Sequence, residues 1–330
     1  MTCKLIRSTM KQLGMGRLLY RTFYAPRASF QRFLSRGIKN TILDSFGQRQ
    51  MLQFAERLSP LPLTPIPDKE VCFLTGSNHW YQTCLCAYSL LSHSSLPLRI
   101  RLFDDGTLTL PQQEFLKFLF PFLTIVSAEE ANDILATHLP ANRYPSLFTR
   151  RKEYPHIKKL LDTHCSHSGW RLVLDSDMLF FDDPVELLDW IHHPTAPIHM
   201  IDCMTSYGYS QELLKELTGC TLPEKINVGV CGLQSETIDW DKLEYWCTMQ
   251  IEREGTHYVQ EQALTAMLMT STPRVALPKE RYICCPSKES VLDKRGVLHH
   301  YVAESKSWYY QFAWKKAFEG NAASTPSFLK

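Results

Sequence analysis

Arg171-Leu-Val-Leu-Asp175-Ser-Asp177-Met-Leu-Phe-Phe181 sets an acidic pair inside a strongly apolar run. Residues 171–174 read as a buried strand that runs straight into Asp175 and Asp177. Two carboxylates one residue apart at a half-buried strand end repel each other, and a divalent cation relieves that repulsion. All-oxygen ligation favours Mg²⁺ or Mn²⁺, which keep coordination positions open for phosphate oxygens and water.

Outward from this element, the chain alternates between two periodicities. Residues 71–75, 98–103 and 123–126 read as further strands, and residues 80–91, 111–120 and 157–164 as helices, with Ser77 or Asn78 able to cap the first. Alternation of this kind predicts an α/β fold, a mostly parallel twisted sheet flanked by helices. Ligands of such sheets bind beyond the carboxyl ends of the strands, where the turn at Gly76 and the Asp175-Ser176-Asp177 element both fall.

The composition agrees with a folded chain. Of 330 residues, 44% are hydrophobic and 21% charged, which excludes a disordered or collagenous protein. No apolar run reaches the roughly 18–20 residues a bilayer span needs. The eleven cysteines are odd in number and include no Cys-x-x-Cys pair, so they read as reduced thiols in an intracellular, cytoplasmic chain. The opening lacks the continuous apolar stretch of a secretory signal.

The net charge of +2 hides an asymmetry. Eleven basic residues face only Asp44 and Glu56 through Arg57, a local +9 that leaves −7 on the remainder. Residues 1–58 read as a basic, helical N-terminal segment interleaved with aromatic and aliphatic side chains. Such a segment suits the anionic inner face of a membrane, and equally an acidic partner, a transit sequence or a solvated helix packed on the main domain. No nucleic-acid partner is expected. Residues 59–68, with four prolines between Ser59 and Pro67, read as an extended linker, and residues 69–330 as the catalytic domain.

Asp-x-Asp alone serves phosphatases, nucleotidyltransferases and sugar transferases alike. Haloacid-dehalogenase-type phosphatases place Thr or Val two residues after it, where this chain has Leu179, and carry it near the domain's start. The Leu-Asp-Ser-Asp run instead resembles the motif of GT-A-fold glycosyltransferases, particularly family 8. That family has a C-terminal His-Phe-x-Gly-x-x-Lys-Pro-Trp pattern, and here His300-Tyr-Val-Ala303-Glu-Ser-Lys306-Ser-Trp308 keeps His, Lys and Trp at the same offsets. Ile226-Asn227-Val-Gly229 is similar to the family's Phe-Asn-x-Gly strand. Gln260-Glu261-Gln262 resembles its Asp-Gln pair ahead of a helix, and Leu74-Thr75-Gly76-Ser77-Asn78 takes the place of its nucleobase loop. The family's loop aspartate is missing, and Gly76 stands where it would align.

The resemblance implies a GT-A-like (Rossmann-like) fold and a metal-dependent hexosyl transfer from a nucleoside-diphosphate sugar, a UDP-hexose, to a hydroxyl of a glycan or glycolipid, with retained configuration. Asp175, Asp177 and His300 would hold Mn²⁺ or Mg²⁺. Thr75, Gly76, Asn78, Arg150, Ser176 and Lys306 would meet the donor, and Asp202, Asn227, Glu261 and Gln262 would place sugar or acceptor hydroxyls. In an inverting enzyme Glu261 or Asp202 would be the base. A sugar-1-phosphate nucleotidyltransferase, or a non-catalytic binding protein of the same fold, are the alternatives.

Overall fold

The structure is a computed structural model that describes residues 38–61 and 67–319. Most of the basic segment expected over residues 1–58, and the middle of the proline-rich linker at 62–66, lie outside the described residues. The chain divides into two compact units, Met1–Gln50 and Met51–Lys330. A helix runs over Ile38–Ala55. Within the second unit its last turn contributes Phe54, buried with ring centroids 5.2 Å from Trp314 and 5.1 Å from Phe318. Among the described residues, no helix is long and apolar enough to cross a membrane.

Among the described residues, ten strands form two sheets. They are β1 (Lys69–Thr75), β2 (Leu98–Asp104), β3 (Thr124–Val126), β4 (Trp170–Leu174), β5 (Met178–Phe180), β6 (Ile198–Ile201), β7 (Ile226–Gln234), β8 (Val275–Ala276), β9 (Tyr282–Cys284) and β10 (Leu298–His300). The main sheet has the order β3-β2-β1-β4-β7-β6-β8. The pairs β3–β2, β2–β1, β1–β4 and β6–β8 are parallel, and β7 runs against both its neighbours. This is the α/β, mostly parallel, GT-A-like sheet the sequence predicts. Both faces of its centre are covered: eight of the nine residues of β7 are buried, Asn227 among them.

The second sheet, β5-β10-β9, was not legible as strands, since three-residue segments carry no readable period. It nevertheless positions the site. Immediately after Asp177, β5 pairs antiparallel with β10, with Met178 opposite His300. The Tyr301 amide donates to the Asp177 carbonyl at 3.0 Å. Beneath this junction Tyr301 stacks on Tyr309 at 4.8 Å, and both rings are fully buried. On the other flank, the Asp175 amide donates to the Gly229 carbonyl of β7 at 2.8 Å. The acidic pair is therefore clamped between the two sheets by backbone hydrogen bonds.

The helix Trp80–His93 starts without either expected cap. The Gly76 carbonyl accepts from the His79 and Trp80 amides, so a backbone turn replaces a Ser77 or Asn78 side chain.

Candidate functional site

Asp175, Asp177 and His300 each offer a ligand atom within 4.8 Å of the others. His300 Nε2 lies 3.4 Å from Asp177 Oδ1 and 3.7 Å from Asp175 Oδ2. The orientation of the imidazole follows from Asn227. The Gly229 amide can only donate, and it meets Asn227 Oδ1 at 2.9 Å, while Asn227 Nδ2 donates to Asp202 Oδ2 at 3.1 Å. Asn227 Oδ1 is thus the acceptor for His300 Nδ1 at 3.0 Å, and His300 carries its proton there. Nε2 is then the ring atom that faces the two carboxylates. Three electron-rich atoms converging on one point fit a cation, and the separations slightly exceed the roughly 3.0 Å edge of an octahedron with bonds near 2.1 Å.

Two lysines flank the pair. Lys306 Nζ sits 2.8 Å from Asp177 Oδ2, and Lys159 Nζ 2.8 Å from Asp175 Oδ1. Burial pushes the Asp177 carboxyl up, but Lys306 and His300 more than reverse that and hold it well below the usual carboxylate range. Asp177 in turn raises the Lys306 ammonium. Lys159 is buried, which favours the neutral amine, yet Asp175 and then Glu261 keep it charged. Glu261 Oε2 is 3.4 Å from the same ammonium. Because Asp175 takes Lys159 at closer range, burial dominates at Glu261 and its carboxyl is pushed up to about 7.

Of the remaining sequence-predicted residues, Asp202, Asn227, Glu261 and Gln262 join this network, whereas the Ser176, Thr75, Gly76, Asn78 and Arg150 side chains stand outside it. Asp202 Oδ2 also accepts from Gln262 Nε2 at 3.3 Å, so Asp202, Asn227 and Gln262 form a continuous polar chain leading to His300. Ser176 presents its carbonyl to the Tyr309 hydroxyl. Thr75 ends β1 with its hydroxyl bonded to Thr83, and Gly76 follows; Asn78 is exposed. Arg150 points elsewhere. Its guanidinium donates to Gln260 Oε1 at 2.6 Å and to the His257 carbonyl, and lies 4.6 Å over the Tyr154 ring. The helix Pro145–Glu153 aims it at the start of the helix Gln260–Leu268, where it ties the two together.

Three contributors were missed. Lys159, rather than Arg150 or Lys158, meets the acidic pair; one residue along a helix turns a side chain by about 100°, finer than motif spacing resolves. Lys158 Nζ instead donates to the Asp105 carbonyl at 2.8 Å. Asp105 itself fills the place of the absent loop side chain: a Cβ added to Gly76 would overlap its carboxylate. Cys284 approaches Asp202 Oδ1 at 3.5 Å and Asn227 Nδ2 at 3.5 Å. Ala303, where the family pattern has glycine, adopts φ 47°, so the loop before Lys306 keeps a left-handed turn despite the Cβ.

No family model matches the sequence, and no curated protein matches it either. Solved structures do. The bifunctional glycosyltransferase WbbM is 14% identical with a TM-score of 0.50, over 78% of this chain and 51% of that one. The chain thus spans about half the length of WbbM, and the likeness is one of fold. The galactosyltransferase LgtC, solved with donor and acceptor sugar analogues, is 14% identical with a TM-score of 0.49 over 78% of this chain and 98% of that one. Mouse xyloside xylosyltransferase 1 is 12% identical with a TM-score of 0.49 over 70% and 97%.

Two outcomes follow from this geometry. A Cβ at Gly229 would sit 2.5 Å from the His300 ring, so Gly229→Ala must displace the imidazole from the acidic pair. The variant should fold, with unchanged circular dichroism, and bind Mn²⁺ about tenfold or more weakly by calorimetry, the range seen when a ligand's support is disturbed; undiminished affinity would remove His300 from the cluster. The second concerns Glu261, whose pKa rises from 4.5 to about 7 on folding. The fold binds the extra proton, so this contribution to stability is complete below pH 4.5 and drains away as the pH climbs to about 7. Between those limits wild type should lose on the order of 2 kcal/mol relative to Glu261→Gln, read from Tm at each pH in the presence of a chelator. Parallel curves would show that Glu261 titrates normally.

Proposed function

We propose that this chain is a metal-dependent glycosyltransferase that moves a hexose from a nucleoside-diphosphate sugar, with uridine as the nucleoside, to a hydroxyl of a glycan or glycolipid. The observation that supports it most is the convergence of Asp175, Asp177 and His300 Nε2 at the carboxyl end of β4, with Lys306 alongside. Asp175, Asp177 and His300 would hold Mn²⁺ or Mg²⁺, and that ion would supply Lewis-acid neutralisation of a diphosphate leaving group. Lys306 adds a second positive charge for the same phosphates, held protonated by Asp177. Lys159 holds Asp175 Oδ1 in place through a 2.8 Å ion pair.

Uridine is favoured by the turn after β1. The Asp105 carboxylate stands in the space vacated at Gly76, with Oδ1 held by the Thr107 amide and hydroxyl. A carboxylate there accepts the N3–H of a uracil ring, which a purine presents differently. For the acceptor, an open cleft of about 710 Å³ begins just past Asp202 and is lined by Ser206, Tyr207, Tyr209, Gln211, Lys215 and Glu224. Hydroxyls and flat rings of this kind suit a sugar.

Retention of configuration is the stereochemistry we infer. An inverting transferase needs an unencumbered base beside the acceptor oxygen. Asp202 Oδ2 is taken by Asn227 and Gln262, and Glu261 is buried against Lys159.

Calorimetric titration with UDP should show binding that requires Mn²⁺, and Asp177→Ala should abolish hydrolysis of UDP-hexose, read as released nucleotide, with the fold intact. Equal UDP binding without metal, or hydrolysis that survives the substitution, would overturn the metal-dependent reading. Asp105→Ala should raise the KM for the UDP-sugar about tenfold with a smaller change in kcat, the loss that follows when a polar partner of the bound base is removed. An unchanged KM would put base recognition elsewhere.

A further inference from the structure

A second group of metal-ligating atoms lies on the far side of Asn227, and it differs in chemistry from the first. Asp202, Cys203 and Cys284 bring one carboxylate oxygen and two sulfurs within 4.8 Å of one another. Asp202 and Cys203 follow β6, and Cys284 ends β9, so two elements distant in sequence assemble the group. From these residues we propose a separate site for a thiophilic divalent cation, zinc being the natural occupant.

Three features carry the assignment. The first is spacing. A tetrahedral zinc with bonds of about 2.3 Å to sulfur and 2.0–2.2 Å to carboxylate oxygen separates those two ligands by about 3.6 Å. Asp202 Oδ1 and Cys284 Sγ stand 3.5 Å apart. This pair already holds one edge of the polyhedron, and the Cys203 sulfur lies within 4.8 Å of both.

The second feature is support from outside the ligand set. Asn227 Nδ2 and Gln262 Nε2 both donate to Asp202 Oδ2, at 3.1 and 3.3 Å, which occupies that oxygen and turns Oδ1 to the thiols. Carboxylates that ligate metals are characteristically held by such neighbours. The third is access. Cys203 is exposed, whereas Cys284 and Asp202 are half-buried, so an ion reaches the group from solvent and keeps a position open for water, as three-ligand zinc sites do.

Ligand softness separates the two clusters. Thiolates select Zn²⁺ over Mg²⁺ and Mn²⁺, whereas two aspartates and one imidazole suit the harder ions. On loading, the cation replaces the two thiol protons, which leave to solvent, and two metal–sulfur bonds form without any change in oxidation state. Cys285 lies beside Cys284 but its Sγ contacts the Val302 carbonyl, outside the ligand set.

Cobalt(II) reports this directly, because a cobalt–thiolate bond absorbs in the near ultraviolet and a carboxylate–imidazole site does not. The reading therefore stands or falls independently of any transferase activity. The full chain, kept reduced, is titrated with Co²⁺ and then with Zn²⁺. Wild type should develop a thiolate charge-transfer band saturating at one equivalent, bleached by one equivalent of Zn²⁺. Cys203→Ser, an exposed and structurally mild change, and Asp202→Asn should each weaken Co²⁺ binding about tenfold or more. Asp177→Ala and Cys220→Ser should leave the band in place. Absence of a band in wild type, its persistence at full affinity in Cys203→Ser, or its loss in Cys220→Ser would each overturn the site.

Discussion

The conformation of one side-chain amide sets how the polar cluster beside β4 is arranged. Asn227 is fixed at both ends: its oxygen accepts from the Gly229 amide and from His300 Nδ1, and its nitrogen donates to Asp202. Because the Gly229 amide has no choice of role, the whole chain of donors and acceptors is determined. The consequence appears one residue further on, where His300 Nε2 is the ring atom turned to Asp175 and Asp177. Such an arrangement is unfavourable until positive charge enters, and the fold places Lys159 and Lys306 on its two flanks without filling its centre.

Holding charges at such density requires backbone rigidity, which the two sheets supply. Antiparallel pairing of β5 with β10 sets the His300 backbone beside that of Met178, next to Asp177. The parallel contact of β10 with β9 sets His300 opposite Cys284. β7 completes the frame by accepting the Asp175 amide. Each ligand therefore comes from a strand or its immediate end, with a fully buried Tyr301–Tyr309 stack beneath. A site carried by loops alone would relax away from the mutual repulsion of its groups.

Much of this was legible in the sequence, for physical reasons that differ from part to part. The alternation of apolar runs announced the sheet because a strand covered on both faces is largely apolar, as β7 is apart from Asn227 and Gln234. Asp175 and Asp177 stood out because ionised groups interrupt an apolar run only at a cost. The offset from Lys306 marks His300, and its neighbour His299 faces the Arg295 carbonyl and Tyr301. What stayed hidden has a common cause. The strands β5, β9 and β10 are too short to show a period, and the preference for Lys159 over Arg150 rests on where two helices point.

The carboxylate at the first turn shows most plainly why motif reading runs out. A search along the chain finds glycine where an acid is expected and infers that the contact is lost. In the parallel register of β1 and β2, however, Thr75 lies opposite Asp104, so the residues that follow each strand emerge side by side. Asp105 can then supply from the neighbouring strand what Gly76 lacks, and it can do so only because glycine leaves the volume open. The two positions are coupled sterically: an acid at both would overlap, and an acid at neither would leave the pocket without a charge. A carboxylate placed in this way leaves no mark in the linear pattern of either strand, because it becomes visible only once the register of β1 and β2 is known.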